Sequence, residues 1–340
     1  MKKSKLFLLL MAMLTVLVLA ACGKSASDSK NSNGDGDYKI ATVVKLTGVA
    51  WFNRMEEGVD RFAKETGNDA YQVGPQKADA ALQVQIIEDL IAQKVDAITV
   101  VPFSVEALEP VLKKARDAGI VVITHEADGF QNTDFNIEAF DNADYGRFLM
   151  DNLAKAMGEE GDYMTAVGSL TSKSHMQWEE AAVKHQEEKY PNMKAVARQI
   201  ETNDDLATAS EKFRETIKAF PNLKGFQGSA GNDVPGAALA AEELGIAGKI
   251  SLVGTSVPSA SAQYIESGAI SSIAFWDPAE AAYAMNKLAV MILDGKKDEI
   301  KDGMDLGIPG YENLKIVDNK YIFGNAWVGV DKSNLADYDF

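Results

Sequence analysis

The stretch AITVVPFSVEALEPVLKKARDAGIVVIT, residues 97–124, decides the fold. Its two ends, 97–101 and 120–124, are short apolar runs rich in β-branched residues, which is typical of parallel strands covered on both faces. Between them, apolar side chains recur at helical spacing from Leu108 to Ala115. The stretch therefore predicts a β-α-β unit, the repeating element of α/β proteins with parallel sheets.

The same alternation continues on both sides of this unit. Further strands are predicted at 38–46, 163–167, 195–200, 225–228 and 250–254. Further helices are predicted at 53–66, 178–189, 206–220 and 236–244. This regular order predicts an α/β fold with doubly wound parallel sheets.

The length of the folded region, about 300 residues, exceeds the usual size of one domain, so two lobes are expected. No Pro- or Gly-rich linker divides the region midway, which favours lobes joined by several crossing strands. The crossings are predicted near 137–141, 271–276 and 322–328. The predicted N-terminal lobe comprises 38–139 plus 276–323, and the predicted C-terminal lobe comprises 140–275 plus 324–340.

The N-terminus predicts export and lipid anchoring. A basic segment, 1–5, precedes an uncharged apolar run, 6–21, that is too short to span a bilayer comfortably. The run ends in Leu-Ala-Ala-Cys at 19–22, which resembles the bacterial lipobox. Residues 1–21 are therefore predicted to be a signal peptide, and Cys22 is predicted to carry a lipid on the outer face of the cell membrane. The stretch that follows is rich in Gly, Ser, Asn and Asp. Together with Cys22 it spans residues 22–37 and is predicted to be a flexible tether.

Composition excludes several classes of site. The formal net charge is −16 at pH 7, and such an acidic chain repels nucleic acid and anionic lipid. Cys22 is the only cysteine, so no intrachain disulfide is possible. The sequence contains no HExxH, EF-hand, P-loop or GxGxxG motif. No metal, cofactor or nucleic-acid partner is therefore expected.

Several motifs follow one another in a specific order and spacing. They are VVKLTGVAWF (43–52), GP (74–75), QVQIIEDLIAQKVDAI (83–98), THEAD (124–128), QW (177–178), GNDVPGAALAAEE (231–243) and FWDP (275–278). In these motifs the chain from Tyr38 onward resembles type I periplasmic binding proteins of sugar ABC transporters, specifically the subgroup of autoinducer-2 receptors and rhamnose-binding proteins. The resemblance implies two lobes joined by a three-strand hinge, a small polar ligand captured by hinge closure, and delivery by a monomer to a membrane permease and its ATPase.

Polar residues follow the predicted strands, where open α/β sheets bind their ligands. Lys45 follows the first strand, and its ammonium can donate to hydroxyl or carbonyl oxygens. Glu126 and Asp128 follow the strand at 120–124, and an ionised carboxylate accepts strong hydrogen bonds from sugar hydroxyls. The resemblance implies that Lys45 and Glu126 contact the ligand, with glutamate where the family usually has aspartate. Asp128 is the alternative acid.

Four further positions align with ligand contacts of the family, and two of them depart from its pattern. Ser174 and His175 stand where autoinducer-2 receptors have Asp-Gln and rhamnose-type proteins have Asn-Gln. Because a site built for particular hydroxyls rejects ligands that leave its polar groups unpaired, this change argues against autoinducer-2. Rhamnose-like deoxysugars, other monosaccharides and autoinducer-2 all stay open. Ser229 and Gly231 are expected to contact the ligand partly through backbone groups, and Asn232 is expected to cap the next helix.

Aromatic and hinge-side residues complete the candidates. Trp276 can offer an apolar face to a sugar ring or pack between the lobes, and Phe52 and its neighbour Trp51 raise the same question. Asp277, beside Trp276, and Glu138 lie near predicted crossings and are candidates on the hinge side.

Two alternative functions stand beside that of an importer component. A receptor that presents its ligand to a sensor protein would read the same closed surface, and the sequence does not separate it from an importer component. A secreted hydrolase is disfavoured, because Gln-Gly-Ser-Ala-Gly at 227–231 has Gln where a nucleophile elbow needs Gly. All three histidines also precede Ser229, so the order of an α/β-hydrolase triad fails. No enzyme activity is expected.

Overall fold

Two β-sheets organise the part of the chain that a computed structural model describes, residues 38–126 and 128–340. These residues belong to one compact unit. The predicted signal peptide (1–21), the lipidation site at Cys22 and the tether (22–37) lie outside the described residues. No helix in the described ranges is long and apolar enough to cross a membrane.

The first sheet has seven strands. They are β1 (Lys39–Val43), β2 (Asp69–Val73), β3 (Ala97–Val100), β4 (Val121–His125), β5 (Phe135–Glu138), β11 (Lys315–Val317) and β12 (Tyr321–Phe323). Their order is β11-β12-β5-β4-β3-β1-β2. Every neighbouring pair is parallel except β11 with β12.

The second sheet has six strands. They are β6 (Gly161–Val167), β7 (Met193–Glu201), β8 (Leu223–Gly228), β9 (Ser251–Thr255), β10 (Ser272–Phe275) and β13 (Val328–Val330). Their order is β13-β10-β9-β8-β6-β7, and only β13 runs antiparallel to its neighbour.

Nine α-helices within the described ranges cover the two sheets. Four pack with the first sheet: α1 (Ala50–Thr66), α2 (Ala80–Gln93), α3 (Val105–Asp117) and α9 (Pro278–Leu293). Four pack with the second sheet: α4 (Asn142–Met157), α5 (Lys173–Lys189), α6 (Leu206–Ala219) and α7 (Asp233–Glu243). The ninth helix, α8 (Pro258–Ser267), packs against α7. Short 3₁₀ turns lie at Lys297–Glu299 and Leu335–Asp337.

The apolar strand runs are buried on both faces, as the sequence predicts. In β1, Ile40 belongs to one hydrophobic cluster, whereas Ala41 and Val43 belong to another. Successive side chains of a strand point to opposite faces, so a strand between two helical layers needs apolar residues at nearly every position. The doubly wound α/β architecture predicted from the sequence is confirmed.

The described chain passes between the two sheets three times, at 139–141, 276–277 and 324–327. The first and third passages run side by side. The N–H of Gly324, at the start of the third, donates to the carbonyl oxygen of Glu138, just before the first, at 2.9 Å. The carboxyl ends of both sets of parallel strands consequently flank one region between the sheets.

Helices α1 and α9 approach each other closely beside this region. A Cβ atom on Gly58 would overlap the carbonyl oxygen of Ala279, so only glycine permits the observed spacing. Arg54 of α1 also forms an ion pair with Asp277 at 2.7 Å. This contact fixes the first turn of α1, which carries Trp51, against the passage at 276–277.

We expect Gly58→Ala to lower the melting temperature. Alanine ordinarily stabilises a helix relative to glycine by about 1 kcal/mol, but the overlap with a backbone oxygen forces the helices apart at a cost of about 1–3 kcal/mol. Thermal unfolding by circular dichroism measures the difference. Glu56→Ala, at an exposed side chain on the same helix, is the control and should change little. A raised melting temperature for Gly58→Ala would contradict this account.

Candidate functional site

A cleft between the two sheets collects polar and aromatic side chains from both of them. The space between its walls amounts to about 470 Å³, including the part open to solvent. The first sheet and α1 contribute Lys45, Leu46, Val49, Ala50, Trp51, Phe52 and Glu126. The second sheet and its helices contribute His175, Trp178, Asp204, Ser229, Gly231, Asn232, Thr255, Val257 and Ala260, and Trp276 lies on the second passage.

Lys45 and Glu126 form a buried ion pair in this cleft. The Nζ–Oε2 distance is 2.8 Å, and the two side chains are 3 % and 4 % exposed. Burial alone would lower the pKa of Lys45, but the negative charges of Glu126 and Asp204 outweigh it, so the pKa is raised. The lysine therefore remains an ammonium ion although it is out of water.

Both carboxylates of the cleft are carried on left-handed backbone. Glu126 has φ 58° and Asp204 has φ 54°. Residues with side chains rarely adopt this conformation, and it costs of order 1 kcal/mol or more. A residue keeps this strained conformation only where contacts around it hold it in place. Here Glu126 and Asp204, which both adopt it, line the cleft.

His175 is held as a neutral hydrogen-bond donor. Its Nδ1 accepts a hydrogen bond from the backbone N–H of Gly168 at 3.1 Å, which places the proton on Nε2. Burial, and then the charge of Lys45, lower the pKa of His175 well below its ordinary value. The ring therefore stays neutral and offers one N–H to the cleft that it lines.

Trp276 is the centre of an aromatic cluster. Its ring meets Trp51 edge-on at 4.6 Å between centroids, Phe140 at 5.0 Å and Trp178 at 5.6 Å. Its indole N–H donates to Nε2 of His125 at 3.1 Å, while Nδ1 of His125 donates to the carbonyl oxygen of Ile137. The polar atom of Trp276 is thus used within the protein, and its ring carbons remain for contact with a ligand.

Seven of the eleven residues predicted to contact a ligand line the cleft. They are Lys45, Phe52, Glu126, His175, Ser229, Gly231 and Trp276. The ligand role of each stays a prediction. Within the described chain, no group of three or more His, Cys, Asp or Glu side chains is arranged to hold a metal ion.

The other four predicted residues do not line the cleft. Asp128 accepts a hydrogen bond from Gln177, and Glu138 is buried and accepts one from Asn136 at 2.8 Å. Ser174 is fully buried at the start of α5.

Asp277 also has its partners outside the cleft. It caps α9 by accepting from the N–H of Ala279 at 2.8 Å, and it pairs with Arg54. Asp277 is adjacent to Trp276 in sequence but does not line the cleft, because its side chain caps the helix that begins at the next residue.

The prediction that Asn232 caps α7 is wrong. Asn232 occupies the residue before the helix, but its side chain makes no capping hydrogen bond. Its amide instead donates to the backbone oxygen of Asp204 at 2.9 Å. Asp233 accepts from the N–H groups of Ser229 and Ala230, so the loop before α7 folds around this neighbouring carboxylate.

Sequence reasoning missed Asp204, Trp178 and Thr255 as residues of the cleft. The carboxyl end of β7 was the available signal for Asp204, because strand ends of this kind form binding sites. The position after this strand does not distinguish Asp204 from Asp205, because the two acids are adjacent in the sequence. The structure separates the two acids: Asp204 lines the cleft, and Asp205 caps α6 by accepting from the N–H of Thr208 at 2.7 Å.

A chain of three hydrogen bonds, here called the interlobe relay, joins the two halves of the protein. Gln177 donates to Asp128 at 2.6 Å, Asn142 donates to Gln177 at 2.8 Å, and Trp178 donates to Asn142 at 2.7 Å. Asp128 follows β4 of the first sheet, whereas the other three residues lie on α4 and α5. The relay ends at Trp178, which lines the cleft.

The sequence matches the family described as periplasmic binding protein domain over residues 40–297. The chain therefore belongs to the periplasmic binding protein family. One relative, the D-ribose/D-allose-binding protein of Pseudomonas aeruginosa, is 28 % identical over 283 residues, which cover 78 % of this chain and 86 % of the relative.

Two solved structures resemble the fold over almost their whole lengths. An ABC transporter solute binding protein from Clostridium phytofermentas with bound L-rhamnose has a TM-score of 0.81 at 20 % identity, covering 89 % of this chain and 98 % of that one. LsrB from Clostridium saccharobutylicum in complex with AI-2 also has a TM-score of 0.81, at 21 % identity, covering 89 % and 100 %. These likenesses confirm the predicted two-lobe fold of type I periplasmic binding proteins.

The interlobe relay should couple Asp128 and Gln177 energetically. A hydrogen bond to a partly buried carboxylate contributes about 1 kcal/mol or more, and residues in direct contact lose additivity by a similar amount. We expect a double-mutant cycle of Asp128→Ala and Gln177→Ala, measured by urea unfolding, to give a coupling free energy of about 1 kcal/mol.

The matched control replaces Glu180, an exposed acid that lines the same surface cavity as Asp128 and Gln177. A cycle of Glu180→Ala with Gln177→Ala should give a coupling free energy near zero. Equal coupling in both cycles, or none in either, would contradict the relay.

Proposed function

We propose that this chain is the extracytoplasmic substrate-binding lipoprotein of an ABC importer, and that it captures a sugar or sugar-like polar ligand by hinge closure. The observation that carries the proposal is the cleft itself. Lys45 and Glu126 reach it from the first sheet, whereas His175 and Ser229 reach it from the second. A ligand held there would contact both lobes at once.

The chemistry of the cleft supports a polyhydroxylated ligand. An ammonium, a carboxylate and a neutral imidazole N–H supply donors and acceptors, and the aromatic cluster around Trp276 supplies an apolar wall. Sites for small polar ligands combine a few placed polar groups with apolar and aromatic surface. The names of the relatives, which specify ribose, allose, rhamnose and AI-2, point in the same direction.

The mechanism requires binding and closure but no covalent chemistry. The ligand docks on one lobe, the three passages rotate, and the other lobe completes the contacts. Only the differential affinity of the ligand for the closed form drives this change. A permease and its ATPase would then recognise the closed monomer. We place the lobes at 38–139 plus 276–323 and at 140–275 plus 324–340.

The membrane attachment rests on the N-terminal sequence. Cleavage after Ala21 and acylation of Cys22 would anchor the protein at the outer face of the cell membrane, with 22–37 as the tether. A single acyl group binds membranes weakly, whereas diacylation gives stable anchoring. Labelling with a radioactive fatty acid, lost in Cys22→Ser, tests this attachment.

A hydrolase is a weaker proposal for this cleft. Ser229, the residue of the Gln-Gly-Ser-Ala-Gly stretch, has a buried hydroxyl without a hydrogen-bond partner in the described chain. A serine nucleophile needs a base within hydrogen-bond reach. The relatives are also named as binding proteins.

A panel of ligands tests the proposed function by thermal unfolding of residues 38–340. The panel contains L-rhamnose, other deoxyhexoses, pentoses, hexoses and autoinducer-2. A ligand at a thousand times its dissociation constant adds about 4 kcal/mol to the free energy of unfolding, so the melting temperature should rise by several degrees. We expect a monosaccharide to produce this shift. A shift with autoinducer-2 alone would contradict the argument against that ligand, of which only His175 lines the cleft. No shift with any compound would contradict the sugar ligand.

The binding roles of Lys45 and Glu126 are tested with the compound that shifts the melting temperature. We expect Lys45→Ala and Glu126→Ala each to weaken binding by at least about tenfold, or about 1.4 kcal/mol, in isothermal titration calorimetry. The exposed pair Lys113 and Asp117, at 61 % and 64 % exposure, supplies matched controls, because their alanine variants remove the same charges far from the cleft. Wild-type affinity in both site variants would refute the assignment.

A further inference from the structure

Asp204 is a buried acid of the cleft with an unsatisfied oxygen. The residue is 8 % exposed, and its side chain lines the cleft. Its Oδ2 atom is buried and has no hydrogen-bond partner in the described part of the chain. A buried polar atom without a partner costs free energy, so native proteins retain one chiefly where a ligand or water supplies the missing bond.

The surrounding loop holds this carboxyl group in place. The side-chain amide of Asn232 donates to the backbone oxygen of Asp204, and the N–H of Asn203 donates to the carbonyl oxygen of Gly168 at 2.8 Å. A Cβ atom on Gly168 would lie 2.5 Å from Oδ2 of Asp204. The absence of a side chain at Gly168 thus provides the space that the carboxyl group occupies.

The charges of the cleft single out the same residue. The described ionisable side chains that line it are Lys45, Glu126, His175 and Asp204. Lys45 and Glu126 are paired at 2.8 Å, and His175 is neutral. Burial raises the pKa of Asp204, and the charge of Lys45 opposes that rise. Among the described residues that line the cleft, Asp204 is therefore the carboxyl group that forms no ion pair.

A second unsatisfied group lies in the same cleft. The hydroxyl oxygen of Ser229 is buried and lacks a partner in the described residues. Ser229 directly follows β8, and Asp204 follows β7, so both belong to the second sheet. The second lobe thus presents an acceptor-only carboxylate and a hydroxyl, whose natural complement is a ligand rich in hydrogen-bond donors.

We propose that Asp204 is a specificity-determining residue of this cleft, which accepts hydrogen bonds from donors on the ligand and excludes ligands that present a carboxylate or phosphate there. The donors are adjacent hydroxyls or a protonated amine. The inference rests on the proposed function, since it names the ligand chemistry of the same cleft. Beside the ionised form of Asp204, an anionic group would meet a like charge in a low-dielectric site, where repulsion is strong.

Calorimetry on the full chain in detergent tests the proposal with Asp204→Asn and Asp205→Asn. These variants remove the same charge from adjacent residues, but Asp205 is exposed and asparagine retains its capping role. The probes are L-rhamnose, D-ribose, D-allose and D-glucose, then D-glucosamine and D-glucuronate. We expect Asp204→Asn to weaken binding of the best neutral or amino sugar by at least about tenfold, and Asp205→Asn to change it by less than about twofold.

Two further measurements separate binding from folding. Ligand-free Asp204→Asn should melt at or above the wild-type temperature, because it removes a carboxyl group whose burial is costly. Gly168→Ala, which displaces the carboxyl group without replacing it, should weaken binding of the same sugar. D-Glucosamine binding more tightly than D-glucose would identify an amine as the donor, and the reverse order would identify hydroxyls.

Three outcomes overturn the inference. Wild-type affinity in Asp204→Asn, with or without a lowered melting temperature, would show that Asp204 does not contact the ligand and would leave the proposed function intact. D-Glucuronate binding to the wild type as tightly as D-glucose would overturn the exclusion of anions. Failure of every sugar to bind the wild type would overturn the proposed function, and the inference with it.

Discussion

The buried ion pair between Lys45 and Glu126 is the interaction on which the rest of the cleft depends. Removing two charges from water is costly, and the pair offsets that cost through a 2.8 Å contact at the ends of two strands of one sheet. Glu126 adopts left-handed backbone at this position, and the ion pair is one of the contacts that hold it there. The ammonium also lowers the pKa of His175 and opposes the rise in that of Asp204. One pair thereby influences the protonation of every other ionisable group that lines the described cleft.

The aromatic cluster around Trp276 forms an apolar wall in the same cleft as the ion pair. Trp276 lies between Trp51 of the first lobe and Trp178 of the second, so it contacts both walls. His125 holds it by accepting its indole hydrogen bond, and burial lowers the pKa of this histidine so that the neutral ring can do so. The ring carbons of Trp276 are left as apolar surface beside polar groups, an arrangement suited to a sugar, which has both kinds of surface.

Contacts between the lobes link the cleft to the outside of the protein. The interlobe relay runs from Asp128 to Trp178 in the cleft. Within the first lobe, the close packing of Gly58 on Ala279 fixes the helix that carries Trp51. The proposed closure of the lobes would therefore involve elements that also shape the cleft. The proposed ligand contributes the remaining contacts, since Asp204 and Ser229 retain buried oxygens without partners in the described chain.

The sequence by itself determined the fold class, because the alternation of apolar strands and amphipathic helices is local and was readable at residues 97–124 without knowledge of any distant contact. It also indicated that polar residues after strands would meet, and the resemblance implied ligand contacts for Lys45 and Glu126. Only the tertiary structure decided which polar side chains enter the cleft. Asp204 and Asp205 are chemically identical neighbours, yet one lines the cleft and the other caps a helix. The physical reason is that the direction of a loop side chain depends on backbone torsions and on partners distant in sequence, here Gly168 and Asn232, which no local pattern encodes.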